Sequence, residues 1–132
     1  MNVNVKSPGQ RFRALPELYA VCRLTPDATV PAWAVGAFVN ITFTPDELAI
    51  ICPAERVPLE VRAERDWRVL KLVGPFPFTA VGVLASLATP LAEAGISLLS
   101  IATYDTDYFL VKTEVFDDAV AVLVAAGHTR IG

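Results

Sequence analysis

A short pattern occurs twice in this chain. Val69-Leu70-Lys71-Leu72 answers Val21-Cys22-Arg23-Leu24, and a second, ungapped match sets Asn40-Ile41-Thr42 through Leu48-Ala49-Ile50-Ile51 against Ser100-Ile101-Ala102 through Tyr108-Phe109-Leu110-Val111. The chain reads as one module written twice, and whatever fold it adopts must accommodate the same plan in both halves. Duplicated small domains often pack on one another, and a seam between copies is a natural place for a ligand. The 132 residues suffice for one ordinary domain or two very small ones packed as a unit.

The second copy is the fuller. Trp67 to Val73 is rich in strand formers, and Gly74-Pro75-Phe76-Pro77 ends that strand. Thr79 is placed to cap a helix starting at about residue 79, with Phe78 packing on Val83 as a hydrophobic staple. Val81, Leu84, Ala88 and Leu91 recur at helical spacing, and Gly95 offers the left-handed conformation that stops a helix. Pro90 removes the hydrogen bond to the carbonyl of Ser86, which predicts a kink or break between Ser86 and Thr89. Ile96 to Ala102 and Asp107 to Lys112 flank the polar stretch Thr103-Tyr104-Asp105-Thr106 and read as a hairpin. Thr113 is then a candidate cap for a last helix with an apolar face of Phe116, Ala119, Val120, Leu123 and Val124, ended by Gly127 before a strand at His128 to Ile131.

The order strand, helix, strand, strand, helix, strand is the ferredoxin-like plan, with both helices on one face of a four-stranded antiparallel sheet. The predicted class is α+β, two βαββαβ modules in tandem. The first copy is abbreviated: strands at Leu18 to Leu24, Ala37 to Thr44 and Glu47 to Cys52, then a strand near Leu59 to Glu64. Where the second copy has a helix, the first has Thr25 to Gly36, with at most one helical turn at Pro31 to Val35. Arg65-Asp66 joins the copies. The predicted division is a flexible segment over 1–16, a degenerate module over 17–65 and a full module over 66–132.

Composition narrows the function. Eleven basic and 14 acidic residues give a net charge of -3 without long runs, so nucleic-acid binding has no electrostatic footprint. The one basic cluster, Lys6, Arg11 and Arg13, falls in the N-terminal segment and reads as a solvated lead-in. With 54% hydrophobic and 19% charged residues the chain is too apolar for disorder, and burial in a homo-oligomer is expected. Cys22 and Cys52 lie in apolar runs without metal-site or redox spacing, so they read as buried, reduced thiols of a cytoplasmic protein. No signal peptide is expected. The uncharged stretch from Pro75 to Ala92 is diluted by Thr79, Gly82, Ser86, Thr89 and Pro90, which argues against a membrane span.

With this pattern and the run Ala92-Glu93-Ala94-Gly95-Ile96-Ser97, the chain resembles tandem ACT-domain proteins over roughly residues 18 to 131. The stretch from Ser100 to Val111 resembles the small bacterial two-ACT proteins and the related cytosolic arginine sensors of animals. ACT domains are ligand-sensing modules that mostly bind amino acids, usually where two modules meet. The resemblance implies that the loop Gly74 to Thr79 faces the strand Ile96 to Thr103 and its turn in a neighbouring module. ACT domains that regulate amino-acid kinases often carry Asn where this chain has Ser97.

The implied ligand-binding residues are Gly74, Phe76, Phe78, Thr79, Ile96, Ser97, Thr103, Tyr104, Asp105, Thr106 and Asp107. Helix-start N–H groups near Thr79 to Val81 suit a carboxylate, Gly74 permits close approach to the backbone, and Asp105 and Asp107 suit an ammonium or guanidinium group. Phe76 and Tyr104 are candidates for apolar walls. The plainer account is that Gly74, Pro75 and Pro77 are turn residues, Thr79 a cap, and the two Asp hydrated hairpin residues. His128 stands without a Cys or Asp partner nearby in sequence, and Trp33 and Trp67 read as packing. No catalytic residue, cofactor or metal site is expected. The expected function is a non-catalytic module that binds an amino acid or similar metabolite between ACT modules; the alternative is a structural or protein-interaction module with a vestigial site.

Overall fold

The computed structural model describes residues 9–77 and 79–132. Lys6 and Phe78 therefore lie outside the described residues. In chain order the strands are β1 (Arg11–Ala14), β2 (Tyr19–Leu24), β3 (Asn40–Phe43), β4 (Leu48–Pro53), β5 (Ala63–Leu72), β6 (Leu99–Ala102), β7 (Asp107–Lys112) and β8 (Thr129–Arg130). The helices are α1 (Val83–Glu93) and α2 (Phe116–Ala125). The chain divides into two units: Pro16–Val69 forms one, and the segment ending at Leu15 joins Leu70–Gly132 in the other.

In the unit formed by 16–69 the strands run in the order β3-β4-β2-β5, and every pair is antiparallel. Alternation along β2 and β4 sends Ala20, Cys22, Leu48, Ile50 and Cys52 into one core, on which Trp33 and Ala34 of the 25–39 connection pack. That connection holds no helix. Two turns close in it, Ala28 donating to the Thr25 carbonyl at 3.0 Å and Ala34 to the Pro31 carbonyl at 3.2 Å, the second at the place the sequence predicts.

No break marks the predicted junction at Arg65-Asp66, because β5 runs unbroken for ten residues. A β-bulge lies there. Three β2 residues from Tyr19 to Val21 oppose four β5 residues from Glu64 to Trp67, and Asp66 adopts φ 66°, a conformation Asp tolerates better than most side chains. Arg65 supports the bulge by donating to the carbonyls of Ala54, Val57 and Pro58.

The other unit follows the order β5, α1, β6, β7, α2, β8 that the sequence predicts, with one addition. Residues 9–15 are not a lead-in: Arg11-Phe12-Arg13-Ala14 is a strand paired antiparallel with β5, and Phe12 is fully buried. β1 occupies the position beside β5 that the plan reserves for the last strand. β8 keeps its direction but is displaced one place outward, where it pairs parallel with β1, so the sheet is not wholly antiparallel. Phe12, Leu70, Leu72, Phe109 and Val111 meet Leu87 and Leu91 of α1 and Phe116, Ala119 and Leu123 of α2 in one core. Each such Leu or Phe contributes on the order of 1.5–3 kcal/mol on burial.

α1 begins four residues later than predicted. Gly82 stands at its N-terminus with φ 80°, which no helical residue adopts, so Thr79 does not cap it and no side chain does. The helix is correspondingly rotated. Leu87 and Leu91 are buried with Val83 beside them, whereas Val81 is 91% exposed and Leu84 40%. Pro90 does not break it. His128 Nε2 lies 2.8 Å from the Ser86 carbonyl that Pro90 leaves without its helical donor, and His128 Nδ1 accepts the Gln10 N–H at 2.9 Å. These two bonds fix the neutral tautomer with its proton on Nε2 and give His128 a structural task.

Gly95 and Gly127 end their helices in left-handed conformations, with Ile96 and His128 donating back to the carbonyls of Leu91 and Leu123. Thr113 opens a 3-10 turn instead of capping α2, and Val124 is exposed. Among the described residues no helix is long and apolar enough to cross a membrane.

The two hairpins correct the repeat itself. Phe43 pairs with Leu48 and Ala102 with Asp107, each across a four-residue loop, so Leu99 corresponds to Asn40 and Phe109 to Ile50. The ungapped match is out by one residue. In a strand such a slip exchanges faces, and the core confirms the shift: Ile50 and Cys52 are matched by Phe109 and Val111.

Candidate functional site

The loop after β5 and the turn between β6 and β7 are tied together. The Phe76 N–H donates to the Asp105 carbonyl at 2.8 Å. Gly74 is required by this approach, since a Cβ there would lie 2.9 Å from the same oxygen. The turn is held by Thr103, whose N–H and hydroxyl both donate to the Thr106 carbonyl, at 2.8 and 3.0 Å. The Thr106 hydroxyl donates to the Leu72 carbonyl at 3.0 Å and is buried with it, so Thr106 positions the turn against β5.

Two cavities flank the contact, both lined by Thr103, Asp105 and Thr106. The larger, about 720 Å³, lies on the helix side between the turn and the exposed side of α1, where Gly82, Val83, Ala85 and Ala88 line it. Phe76, Tyr104 and Asp107 complete the predicted residues there. The smaller, about 280 Å³, is bounded by Gly74 and Pro75, with Arg13 and Lys71 from the paired strands and Tyr108 from β7. Strand alternation explains the division: Asp107 shares the face of Phe109 and Val111, and Tyr108 takes the opposite one.

Seven of the eleven predicted residues thus line one cavity or the other: Gly74, Phe76 and the run from Thr103 to Asp107. Ile96 does not, because it packs in the core with Leu91 and Phe116. Ser97 and Thr79 are exposed and line neither cavity. The helix-start N–H groups belong to Val83 and its successors rather than to Thr79 to Val81. Arg13 was missed through the reading of β1 as a lead-in, and Lys71, placed in the strand from Trp67 to Val73, was missed with the partner that β1 brings to it. The polar-apolar alternation Arg11-Phe12-Arg13-Ala14 is the signal that reveals β1.

The electrostatics of the cavities differ. Asp105 and Asp107 are the charged residues of the larger, whereas Arg13 and Lys71 join Asp105 in the smaller, with Lys71 Nζ 5.9 Å from the centroid of the Tyr108 ring. In the 16–69 unit, burial pushes the Cys52 thiol up to about 11 and raises that of Cys22. Both therefore stay protonated and are poor nucleophiles. Burial, with Glu17 beside it, likewise raises the Tyr19 hydroxyl to about 12. Among the described residues no group of three or more His, Cys, Asp or Glu side chains comes together to hold a metal.

Residues 62–125 match the family model of the ACT domain, and residues 17–60 match a model described only as an N-terminal domain. A protein of known crystal structure from Agrobacterium tumefaciens is 36% identical, with 95% of this chain and 94% of that one aligned at a TM-score of 0.89. The chain belongs to that protein's family and carries an ACT domain. The same fold recurs in a Vibrio cholerae protein of unknown function (22% identity, 90% and 91% of the two chains, TM-score 0.74). It recurs also in the regulatory subunit of aspartate kinase from Thermus flavus (12%, 91% and 99%, TM-score 0.64). No curated protein matches the sequence. ACT domains are regulatory modules that bind small molecules, typically amino acids, and both cavities described above are lined by residues of this one or of β1.

Proposed function

We propose that this chain is a non-catalytic, cytoplasmic regulatory protein that binds an amino acid or similar small metabolite at the loop and turn of its ACT domain. The observation that carries this reading is the Phe76 to Asp105 hydrogen bond, which holds Gly74, Phe76 and the run from Thr103 to Asp107 around two cavities. A ligand seated there contacts two segments that only the folded state brings together. Its binding therefore reports on, and is reported by, their geometry.

The reading includes a tandem origin, with residues 17–65 as a shortened module and 66–132 as the full one. It is supported by the shared strand order and by the Thr-led turn that occurs in both hairpins. It also includes a homo-oligomer in which a second copy supplies the neighbouring module, an arrangement usual for ACT sites and consistent with Tyr104 being 81% exposed at the mouth of the larger cavity.

Thermal denaturation against each common amino acid at millimolar concentration tests the function. A true ligand at a hundredfold excess over Kd stabilises by about 2.7 kcal/mol. If no amino acid moves the transition, the reading fails. The second reading, a protein-interaction module with a vestigial site, is favoured by the exposed apolar side chains of Val81, Leu84 and Tyr104. It predicts that Tyr104→Ala alters the size of the assembly on gel filtration while no amino acid does.

A further inference from the structure

Arg13 and Lys71 stand directly opposite one another on β1 and β5. Their neighbours Phe12, Leu70 and Leu72 enter the core, so both cations leave the sheet on the face away from the helices. Like charges in this position destabilise a strand pair. The chain carries more acidic than basic residues, yet the one carboxylate lining the cavity they share is that of Asp105.

The 16–69 unit shows what the corresponding cation does when its task is structural. Arg23, which holds the place of Lys71 in the repeated motif, donates to the Asp46 carbonyl of the first turn at 3.0 Å. In the ACT domain the equivalent carbonyl, that of Asp105, is occupied by the Phe76 N–H. Lys71 is relieved of the task and lines the cavity above Tyr108.

We propose that the smaller cavity recognises an acidic amino acid, with Arg13 and Lys71 each receiving a carboxylate and Asp105 receiving the ammonium. This rests on the function proposed above and names its ligand class. The match is charge for charge: two cations and one anion in the protein against two anions and one cation in the ligand. Arg13 supplies a planar fork suited to a carboxylate, and Lys71 a compact charge fixed over an aromatic ring. A neutral or basic amino acid leaves one of the two opposed cations without a counter-charge.

Isothermal titration calorimetry at about 0.15 M salt, where loose surface attraction is screened, decides the matter. L-glutamate and L-aspartate are expected to bind, with L-glutamine, which lacks the second carboxylate, and glutarate, which lacks the ammonium, weaker by at least about tenfold. Arg13→Gln and Lys71→Gln should each weaken glutamate binding by a similar factor while the ligand-free melting temperature holds or rises, because a repulsion has been removed. Equal binding of glutarate, inorganic phosphate and glutamate overturns the assignment, as does glutamate binding indifferent to both substitutions. A neutral or basic amino acid whose binding is weakened by Tyr104→Ala but not by Arg13→Gln overturns the ligand class and leaves the proposed function standing. Absence of binding by every amino acid overturns both.

Discussion

The two turns of this molecule are built alike and used differently. In Thr44-Pro45-Asp46-Glu47 and in Thr103-Tyr104-Asp105-Thr106 the leading Thr donates its N–H and hydroxyl to the carbonyl three residues on, and its hydroxyl accepts from the N–H of that same residue. The third residue is Asp in both. In the first turn its carbonyl is bonded by a side chain, Arg23, and in the second by a backbone N–H, that of Phe76. That exchange recruits the loop after β5 to the turn, opens cavities on either side, and sets a lysine free. The full helix makes it workable, because Gly74 to Gly82 must lead into α1, whereas residues 25–39 lead into no helix.

The largest expected effect tests the alignment on which this comparison stands. Phe109→Ala should cost about 3–5 kcal/mol and its counterpart Ile50→Ala about 2–5 kcal/mol, measured by urea denaturation. Tyr108→Ala should cost far less, since Tyr108 lies partly exposed on the other face. A larger loss at Tyr108 than at Phe109 would restore the ungapped register and dissolve the equivalence of Asp46 with Asp105.

Next in size is His128→Ala, which removes one hydrogen bond from the Gln10 N–H and one from the Ser86 carbonyl, at a cost on the order of 1–3 kcal/mol each. In a Pro90→Ala background, where the helix supplies its own donor to Ser86, the penalty should shrink. Equal penalties in the two backgrounds would disconnect His128 from the proline.

Gly74→Ala drives a Cβ toward the Asp105 carbonyl and should cost about 1–3 kcal/mol. It should also abolish any ligand-induced rise in melting temperature. Arg23→Ala, which unties only an exposed turn, should cost no more than about 0.5–1.5 kcal/mol and leave ligand binding intact.

A last effect, absent at neutral pH, is a pH dependence that originates in the 16–69 unit. The folded protein holds the Cys52 proton up to about 11 and the Tyr19 proton up to about 12, against ordinary values of 9.0 and 10.0. From pH 9 upward the unfolded chain therefore loses protons first, and stability falls until about pH 12. Cys52→Ala should flatten the lower part of that decline in chemical denaturation.

Much of the ACT domain was legible because its signals are local. Gly95 and Gly127 mark helix ends, the Thr103 to Thr106 turn marks a hairpin, and Phe116, Ala119 and Leu123 mark a buried face. What escaped depends on contacts distant in sequence. β1 is four residues long, too short for its polar-apolar alternation to outweigh its place near the N-terminus, and its pairing with β5 sets Arg13 apart from a solvated charge. Thr79 has the chemistry of a cap, but Gly82 in a left-handed conformation starts the helix three residues beyond it. Pro90 foretold an orphaned carbonyl correctly, yet the donor that satisfies it, His128, lies 42 residues away. The bulge at Asp66 disguised one strand as two with a joint between them. Of the candidate site, the turn and its loop could be read, while the cationic wall could not.

Amide hydrogen exchange with and without the amino acid that most raises the melting temperature tests the asymmetry most directly. The account predicts added protection at residues 74–77 and 103–107, including the Phe76 amide, and none at the first turn, 44–47. Protection at 44–47, or a bound ligand that leaves Phe76 and the 103–107 turn unchanged, would contradict it.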